Sequence, residues 1–405
     1  MGLADYISLL KITGRVVRST TPRLLWKFTR NFGLRNLTNM AAFERRMKYN
    51  EPFFPAFIMI SVTEACNLVC SGCWVTRGGK KSLTTEQLDG IIRQAKSQGS
   101  YFFGILGGEP LMYRGLFDVF EKHPDCYFQL FTNATLITPE IAQRMNKLGN
   151  VTPLISIEGL RDESDRRRGR EDVYERTLRG LRACHEAKLI FGVAASICQT
   201  NFHELVSRQH LENMANEGAA FQWYYIYRPV GSDAHPENAL TKEQIKQLRK
   251  FIVEQRRNAP LFIIDVYWGS DGKAICPGAT GMSLHISPSG YVEFCPPLQM
   301  AIERLNADAS NLVQICQDSL FLADLRKMIT ETTRGCILME APEKLANFLE
   351  THNALETTTR ATFLEELKQM RHVPGHDMKD ESLPEKNPLY RMLQKRYFFG
   401  FGAYG

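Results

Sequence analysis

The middle of the chain alternates short apolar runs with amphipathic stretches, and this alternation restricts the possible folds more than any other feature. Six apolar runs are predicted to form strands, at 56–62, 101–106, 127–132, 152–157, 190–197 and 221–227. Amphipathic patterns between them predict helices at 84–99, 114–122, 138–147, 171–187 and 204–217. Strands joined in series by helices are typical of a parallel sheet. We therefore predict an α/β protein in which residues 53–235 form a partial (β/α)6 TIM-like barrel.

The segments that flank this barrel have a different character. Residues 1–52 are predicted to form a basic amphipathic helical arm, with breaks at Gly14 and Pro22. Residues 236–340 are predicted to form a small α+β domain, and residues 341–405 a C-terminal extension of helices and an aromatic tail. Within these parts we expect helices at 241–257, 318–330 and 342–371, a strand at 261–268 and a hairpin at 282–295.

Composition restricts the class of protein and the cellular compartment that we expect for this chain. Its ten cysteines are spread over 405 residues without a secretory signal sequence, which argues against a disulfide scaffold. No apolar run reaches the roughly 18–20 residues that a membrane span requires. The net charge of +6 belongs to the arm, because residues 1–50 hold ten lysines and arginines against two acids. We expect a cytoplasmic protein whose clustered cysteines bind metal or carry out redox chemistry.

Three cysteines stand close together directly after the first predicted strand, in the pattern Cys66-x3-Cys70-x2-Cys73. A structural zinc site would need a fourth ligand and usually a second C-x2-C pair, which does not follow nearby. Three thiolates suit a cubane iron–sulfur cluster and leave one iron without a protein ligand. Zinc and three buried structural cysteines are the alternatives to this interpretation.

The second predicted strand is followed by Gly107-Gly108-Glu109-Pro110. Together with the three-cysteine motif, this segment resembles the radical S-adenosylmethionine (radical SAM) superfamily. The resemblance implies a 4Fe-4S cluster whose unique iron chelates the amino nitrogen and carboxylate of S-adenosyl-L-methionine. It also implies that one electron from the reduced cluster cleaves the sulfonium C–S bond, which gives methionine and a 5′-deoxyadenosyl radical. That radical would then abstract a hydrogen atom from the substrate.

The same resemblance implies a set of cofactor-binding residues. The Gly-Gly-Glu-Pro edge would hold the methionyl amino group, and the glycines would allow the backbone to approach it closely. Polar groups at the ends of later strands would contact ribose or the methionyl carboxylate. The alternatives are a local turn for Glu109, a strand-to-helix turn at 156–159, and a solvated basic turn for Arg168. The residues predicted to bind this cofactor are Gly107, Gly108, Glu109, Pro110, Asn133, Ser156, Glu158 and Arg168.

A second group of cysteines lies in the α+β segment. The pattern Cys276-x13-Gly290-x4-Cys295 resembles the opening of the auxiliary-cluster extensions called SPASM and twitch domains. The resemblance implies a second 4Fe-4S cluster held by Cys276, Cys295 and Cys336, with Cys316 as a further candidate. Cys316 stands in an apolar pattern and is also interpreted as a core residue. The alternative for the first two is a pair of ordinary hairpin cysteines.

The sequence leaves several functions open. We expect a radical SAM enzyme that acts on a lipid-like or membrane-associated substrate, because the basic arm is typical of a helix that binds anionic lipid at the inner face of a membrane. Helices that pack on the barrel are the alternative for the arm. The competing functions are a SPASM-type peptide or protein maturase, a small-molecule oxidation, and a non-enzymatic iron–sulfur redox protein. We expect a flavodoxin- or ferredoxin-like reductant as a partner and no nucleic acid.

Overall fold

A nine-stranded sheet forms the centre of the molecule. The computed structural model describes residues 3–378 and 382–393. The strand order is β7-β6-β5-β4-β3-β2-β1-β8-β9, and all neighbours except β8 and β9 are parallel. The strands are β1 Phe57–Ser61, β2 Phe102–Leu106, β3 Tyr127–Thr132, β4 Val151–Ser156, β5 Gly192–Ile197, β6 Phe221–Ile226, β7 Phe262–Ile264, β8 Ser283–Ile286 and β9 Val292–Glu293.

Helices cover the outer face of this sheet and connect its parallel strands. Each predicted strand from β1 to β6 is present within two residues of its predicted limits, because each is an apolar run that is buried in the sheet. The predicted α/β fold, with a partial barrel, is therefore confirmed. The crossover helices are α4 Thr85–Ser97, α5 Leu116–Lys122, α6 Pro139–Leu148, α7 Arg161–Arg168, α8 Val173–Glu186, α9 Phe202–Leu205, α10 Arg208–Asn216 and α11 Lys242–Gln255.

The sheet continues past the predicted domain boundary at residue 235. Strand β7 adds to the β6 edge in parallel, and strand β8 adds to the β1 edge in parallel. Strand β9 then turns back against β8 as the predicted hairpin. The segment after residue 235 thus supplies three strands to the same sheet as the barrel.

The C-terminal part departs from its prediction at one place. The single helix expected over 342–371 is wrong, because Asn353 has a left-handed backbone with φ of 51° and ends the first helix near it. Two helices and a short strand, which pairs with β10 Met300–Ala301, replace the single helix. The elements are α12 Leu312–Asp318, α13 Leu320–Thr332, α14 Ile337–Glu340, α15 Pro342–Thr351, β11 Leu355–Glu356, α16 Phe363–Gln369 and α17 Pro388–Leu393. The predicted aromatic tail lies outside the described residues.

The N-terminal arm is helical along nearly its whole length. Its elements are α1 Leu3–Ser19, α2 Pro22–Lys27, a π-helical segment Phe28–Leu34 and α3 Arg35–Tyr49. The break predicted at Gly14 is wrong, because α1 continues through it. The break before Pro22 is confirmed: Thr21 caps the new helix, and Pro22 occupies its first turn, where no amide donor is needed.

Basic side chains of the arm donate hydrogen bonds to main-chain carbonyl groups of the barrel. Most of the acceptors lie at or just beyond the C-terminal ends of α4, α5, α6 and α10, where a helix leaves carbonyls unpaired and carries partial negative charge. Pro260, which lies between α11 and β7, is the exception. This arrangement supports the packed alternative for much of the arm's charge. The pairs are Arg15 with Ala215, Ala219 and Pro260, Arg23 with Asn146 and Lys147, Lys27 with Leu148, Arg35 with Asp125, and Arg46 with Gln98.

The apolar side of the arm covers the end of the barrel where the strands begin. Phe28 and Phe32 contact the ring of Tyr127, with centroids 5.5 and 6.0 Å away, and Phe32 also contacts Phe102 at 5.2 Å. A mostly apolar cavity of ≈ 410 Å³ remains between these rings and the strands. Within the part of the chain that the structure describes, no helix combines the length and the apolar character needed to cross a bilayer.

Candidate metal centres and cofactor cavity

The loop that carries Cys66, Cys70 and Cys73 leaves the carboxyl end of β1 and is held from several sides. Its main chain accepts a hydrogen bond at Thr63 O from Gly108 N, at 2.7 Å, and another at Ala65 O from Glu109 N, at 2.8 Å. The loop is therefore fastened to the Gly-Gly-Glu-Pro segment that follows β2.

Both glycines of that segment are required by this contact. A Cβ atom on Gly108 would lie 2.5 Å from Ala65 O and 2.5 Å from Glu64 O, and one on Gly107 would lie 2.7 Å from Thr63 O. Because Gly107 and Gly108 have no side chains, the main chain of the cysteine loop can pack directly against them. Gly107 and Gly108 also line the cavity described below, so their predicted contact with the methionyl group stays a prediction.

Glu109 is fully buried and does not line the cavity. Its Oε1 accepts hydrogen bonds from Thr132 Oγ1 at 2.8 Å and from Leu111 N at 3.1 Å, and its Oε2 accepts one from Asn133 N at 2.8 Å. Burial raises the pKa of Glu109, and these donors offset part of that effect. The geometry favours the local-turn alternative for Glu109. Pro110 is likewise buried, at the start of a short 3₁₀ turn.

Asn133 supports the cysteine loop as well as lining the cavity. Its Nδ2 donates to Asn67 Oδ1 at 2.9 Å, and Asn67 Nδ2 donates to Thr135 Oγ1 at 2.8 Å. Asn67 directly follows Cys66. The carboxyl end of β3 therefore fixes the first turn of the loop.

Arg168 lies against both a cysteine and a carboxylate. Its Nη1 is 3.5 Å from Cys70 Sγ, and its Nη2 is 3.5 Å from Glu158 Oε1. Arg167 Nη1 contacts the other carboxylate oxygen of Glu158 at 2.6 Å. Although burial opposes the charged form, Cys70 and Glu158 raise the pKa of Arg168. The solvated-turn alternative does not fit, because Arg168 is only 8% exposed.

These groups surround a cavity of ≈ 380 Å³ at the carboxyl ends of the strands. That volume is in the range of small-molecule sites, and the position is where barrel enzymes place their chemistry. Of the predicted residues, the cavity wall includes Cys66, Cys70, Cys73, Gly107, Gly108, Asn133, Ser156, Glu158 and Arg168.

The surroundings of Cys66 and Cys73 favour the neutral thiols over the thiolates. Burial and the neighbouring Cys70 thiol raise the pKa of Cys66 to about 11 and that of Cys73 to about 12. A bound metal centre would stabilise the thiolates instead, because metal binding is coupled to loss of the thiol protons. The donor set thus fits a metal cluster.

Cys276, Cys295 and Cys336 come together in a second group. Burial raises the pKa of Cys276 to about 11 and that of Cys295 well above its usual value, and the nearby thiol of Cys336 adds to both rises. Arg228 Nε donates to Cys336 Sγ at 3.2 Å. The hairpin β8–β9 and the turn before α14 therefore bring three cysteines from distant parts of the sequence to one buried place.

Sequence comparison identifies the barrel. The sequence model of the Radical SAM superfamily matches residues 60–201, from β1 to just beyond β5, and so includes all three cysteines of the first loop. The AdoMet-dependent heme synthase of Methanosarcina barkeri (strain Fusaro / DSM 804) is 31% identical over 186 residues, which are 44% of this chain and 52% of that protein.

Residues 60–201 of this chain are thus a radical SAM domain. The sporulation killing factor maturation protein SkfB of Bacillus subtilis (strain 168) is 27% identical over 291 residues, which are 66% of this chain and 67% of SkfB. The crystal structure of Streptococcus suis SuiB has a TM-score of 0.58 and 18% identity over 71% of each chain, a likeness that shows the fold. The chain spans about half the length of the first curated relatives it matches.

The radical SAM domain confirms the cofactors predicted from the first motif, a 4Fe-4S cluster and S-adenosyl-L-methionine. The donor set agrees, because the first triplet offers three thiolates, one ligand fewer than a structural zinc site uses.

Among the described residues, one group does bring three potential ligand atoms within 4.8 Å: His123, Asp125 and Cys126. It lies after α5, at the barrel end opposite the cofactor cavity. Lys96 Nζ already pairs with Asp125 Oδ1 at 2.8 Å, so a cationic group occupies the place of an ion. We assign no metal to this group.

Cys316 does not join the second triplet of this radical SAM protein. It is buried in α12, and the charged neighbour that affects its pKa is Arg326 rather than the other cysteines. This position agrees with the core alternative, and the second group therefore offers three thiolates.

Sequence reasoning missed Arg228, which lines the cofactor cavity and contacts the second triplet. It also missed Gln299, whose Nε2 donates to Trp74 O at 3.1 Å beside the first triplet. Arg228 could have been found, because it directly follows a predicted strand and polar groups of a barrel gather at strand ends. No local signal marks Gln299.

Proposed function

We propose that this radical SAM protein modifies a peptide substrate by radical chemistry, with a 4Fe-4S cluster at each cysteine triplet. When bound and reduced, the first cluster with S-adenosyl-L-methionine supplies a 5′-deoxyadenosyl radical that abstracts hydrogen from the substrate. The observation that carries the proposal is that one cavity is lined by the first triplet and by Arg228, which contacts the second triplet.

The chain's own residues would bind, orient and enclose the reactants. Cys66, Cys70 and Cys73 would hold the first cluster, while Arg168 and Glu158 would position the methionyl and ribose groups. Enclosure of the reactants among these side chains would limit side reactions of the radical. Cys276, Cys295 and Cys336 would hold the second cluster and leave one of its irons without a protein ligand.

The choice of a peptide rests on the extent of the sequence matches. SkfB and the mycofactocin maturase MftC match 66% and 60% of this chain, whereas the heme synthase match covers 44%. The matches to the maturation proteins thus extend beyond the barrel into other parts of this chain. A flavodoxin- or ferredoxin-like protein would supply the electron.

The test is the formation of 5′-deoxyadenosine by the anaerobically reconstituted and reduced protein. We expect it from the native chain and from Cys184→Ala, a buried cysteine outside both triplets, and we expect none from Cys70→Ala. Synthetic peptides should stimulate the reaction and change in mass. A fully loaded native protein that yields no 5′-deoxyadenosine would instead support the non-enzymatic iron–sulfur protein.

A lipid-like substrate is the second candidate, because the arm has exposed apolar side chains near exposed basic residues such as Lys11 and Arg18. Leu10, Val17, Trp26 and Leu34 are between 49% and 62% exposed. Such side chains are typical of an interfacial helix. Sedimentation with vesicles of anionic lipid decides this point: binding that is lost in a Trp26→Ala variant, with stimulation by lipid and not by peptide, would favour the lipid.

A further inference from the structure

Each cysteine triplet has one buried arginine whose guanidinium lies against a sulfur. In the first triplet Arg168 Nη1 lies 3.5 Å from Cys70 Sγ, and in the second Arg228 Nε lies 3.2 Å from Cys336 Sγ. Both arginines line the same cavity. The second contact is the shorter one.

Several contacts hold Arg228 in this position. It lies two residues after the end of β6 and is 7% exposed. The preceding residue is fixed to the sheet, because Tyr227 N donates a hydrogen bond to Ile197 O at 2.9 Å. Its guanidinium carbon lies 5.3 Å from the centre of the Tyr267 ring. Tyr267 is itself fixed, because its hydroxyl accepts a hydrogen bond from Ile226 N at 3.1 Å. The N–H···S contact is thus made by a buried side chain whose neighbours are themselves held in place.

Hydrogen bonds to the sulfurs, net charge and solvent exposure set the reduction potential of an iron–sulfur cluster. A charged donor stabilises the more negative, reduced state more than the oxidised state, and it does so most strongly where water is excluded. A buried arginine on a ligand sulfur should therefore raise the potential.

We propose that Arg228 sets the reduction potential of the second cluster through its hydrogen bond to the Cys336 sulfur. The inference rests on the proposed function, because it requires that Cys276, Cys295 and Cys336 hold a 4Fe-4S cluster. Arg228 is a positioning residue in this sense: it acts through the cysteine ligand and determines how readily the second cluster takes up an electron near the cofactor cavity.

The test is a redox titration followed by electron paramagnetic resonance on the anaerobically reconstituted chain. Arg228→Met removes the donor and the charge while keeping much of the side-chain volume. We expect the midpoint potential of the second cluster to fall by at least about 59 mV, which is a tenfold change in the one-electron equilibrium constant. Arg228→Lys should give a smaller fall, since it keeps the charge but loses the planar donor group.

Arg326→Met is the matched control. Arg326 is a partly buried arginine beside Cys316, a cysteine outside both triplets, and its guanidinium carbon lies 4.1 Å from the centre of the Phe53 ring. Its replacement should leave both potentials unchanged.

An Arg228→Met protein that keeps both clusters and an unaltered potential for the second would overturn the proposal. Loss of the second cluster in both Arg228 variants would also overturn it, in favour of a structural role. If only Arg228→Met loses the second cluster, the midpoint potential of the Arg228→Lys protein decides: a lowered potential supports the proposal, and an unaltered one overturns it. A native protein with about four irons per chain is a different result: it contradicts the second cluster itself, whatever Arg228 does.

Discussion

The missing side chain of Gly108 determines how closely the cysteine loop can approach the strand β2. We predict that Gly108→Ala prevents loading of the first cluster, because a Cβ atom would lie 2.5 Å from two main-chain carbonyl oxygens of the loop, which cannot rotate away as a side chain can. Iron analysis after anaerobic reconstitution should show about four irons fewer than in the native chain.

Gly33→Ala is the control for this change. A Cβ atom there has no neighbour within 4 Å, and the position is helical, so alanine should be tolerated or slightly stabilising. A Gly108→Ala protein with the native iron content would show that the loop can move away from β2.

The pH dependence of stability has a clear contribution from His210, which is 3% exposed and whose Nε2 is 2.9 Å from Gln222 Oε1. Burial lowers the pKa of His210 to about 4. The folded pKa lies below the unfolded value of about 6.5, so the unfolded chain takes up a proton at this histidine first as the pH falls. The free energy of unfolding therefore has its full value above pH 6.5 and decreases as the pH falls toward 4.

We predict that His210→Gln removes about 3 kcal/mol of the loss of stability between pH 6.5 and 4, since glutamine takes up no proton. Urea unfolding of both proteins over this range measures the difference. Parallel pH profiles for the native chain and the variant would contradict the assignment.

At the scale of single residues, the sequence predicted ligands better than it predicted supporting groups. The cysteine spacing located the first triplet because all its members lie in one loop. Arg228 and Gln299 contact residues more than a hundred positions away, so the sequence does not show what they bind. The position of Arg228 at the end of a predicted strand is the one local signal for either of them.

At the scale of helices and strands, periodicity was a good guide inside the barrel. The predicted strands agree closely with the observed ones, because a buried parallel strand requires a continuous apolar run. The pairing of β8 with β1 could not be predicted, since it depends on contacts between residues that are far apart in sequence. The long C-terminal helix was wrong because a single left-handed residue, Asn353, ends it.

The role of the N-terminal arm could not be predicted from its sequence either. Its basic residues could bind anionic lipid headgroups or donate hydrogen bonds to carbonyl groups of the barrel. We predict that Arg15→Ala lowers the free energy of unfolding by about 1–3 kcal/mol, since its guanidinium donates to three carbonyl oxygens of the barrel. Chemical denaturation measures this loss.

Arg18→Ala provides the comparison within the same helix. Arg18 is exposed, so its replacement should change the stability by no more than about 0.5 kcal/mol. Equal effects of the two substitutions would mean that the arm's hydrogen bonds to the barrel do not stabilise the fold.

At the scale of the whole molecule, one sheet joins the barrel and the segment that carries the second triplet. Strand β8 is hydrogen-bonded to β1, the strand that leads into the first triplet, so both cysteine groups are positioned by neighbouring strands. This continuity explains why Arg228, in the wall of the cofactor cavity, can reach the second triplet although a domain boundary was predicted between residues 235 and 236.

Iron and sulfide analysis of the anaerobically reconstituted native chain tests the central claim most directly. Two cubane clusters predict about eight irons and eight sulfides per chain, and Cys295→Ala should reduce both to about four. About four irons in the native chain, unchanged by Cys295→Ala, would contradict a second cluster at Cys276, Cys295 and Cys336.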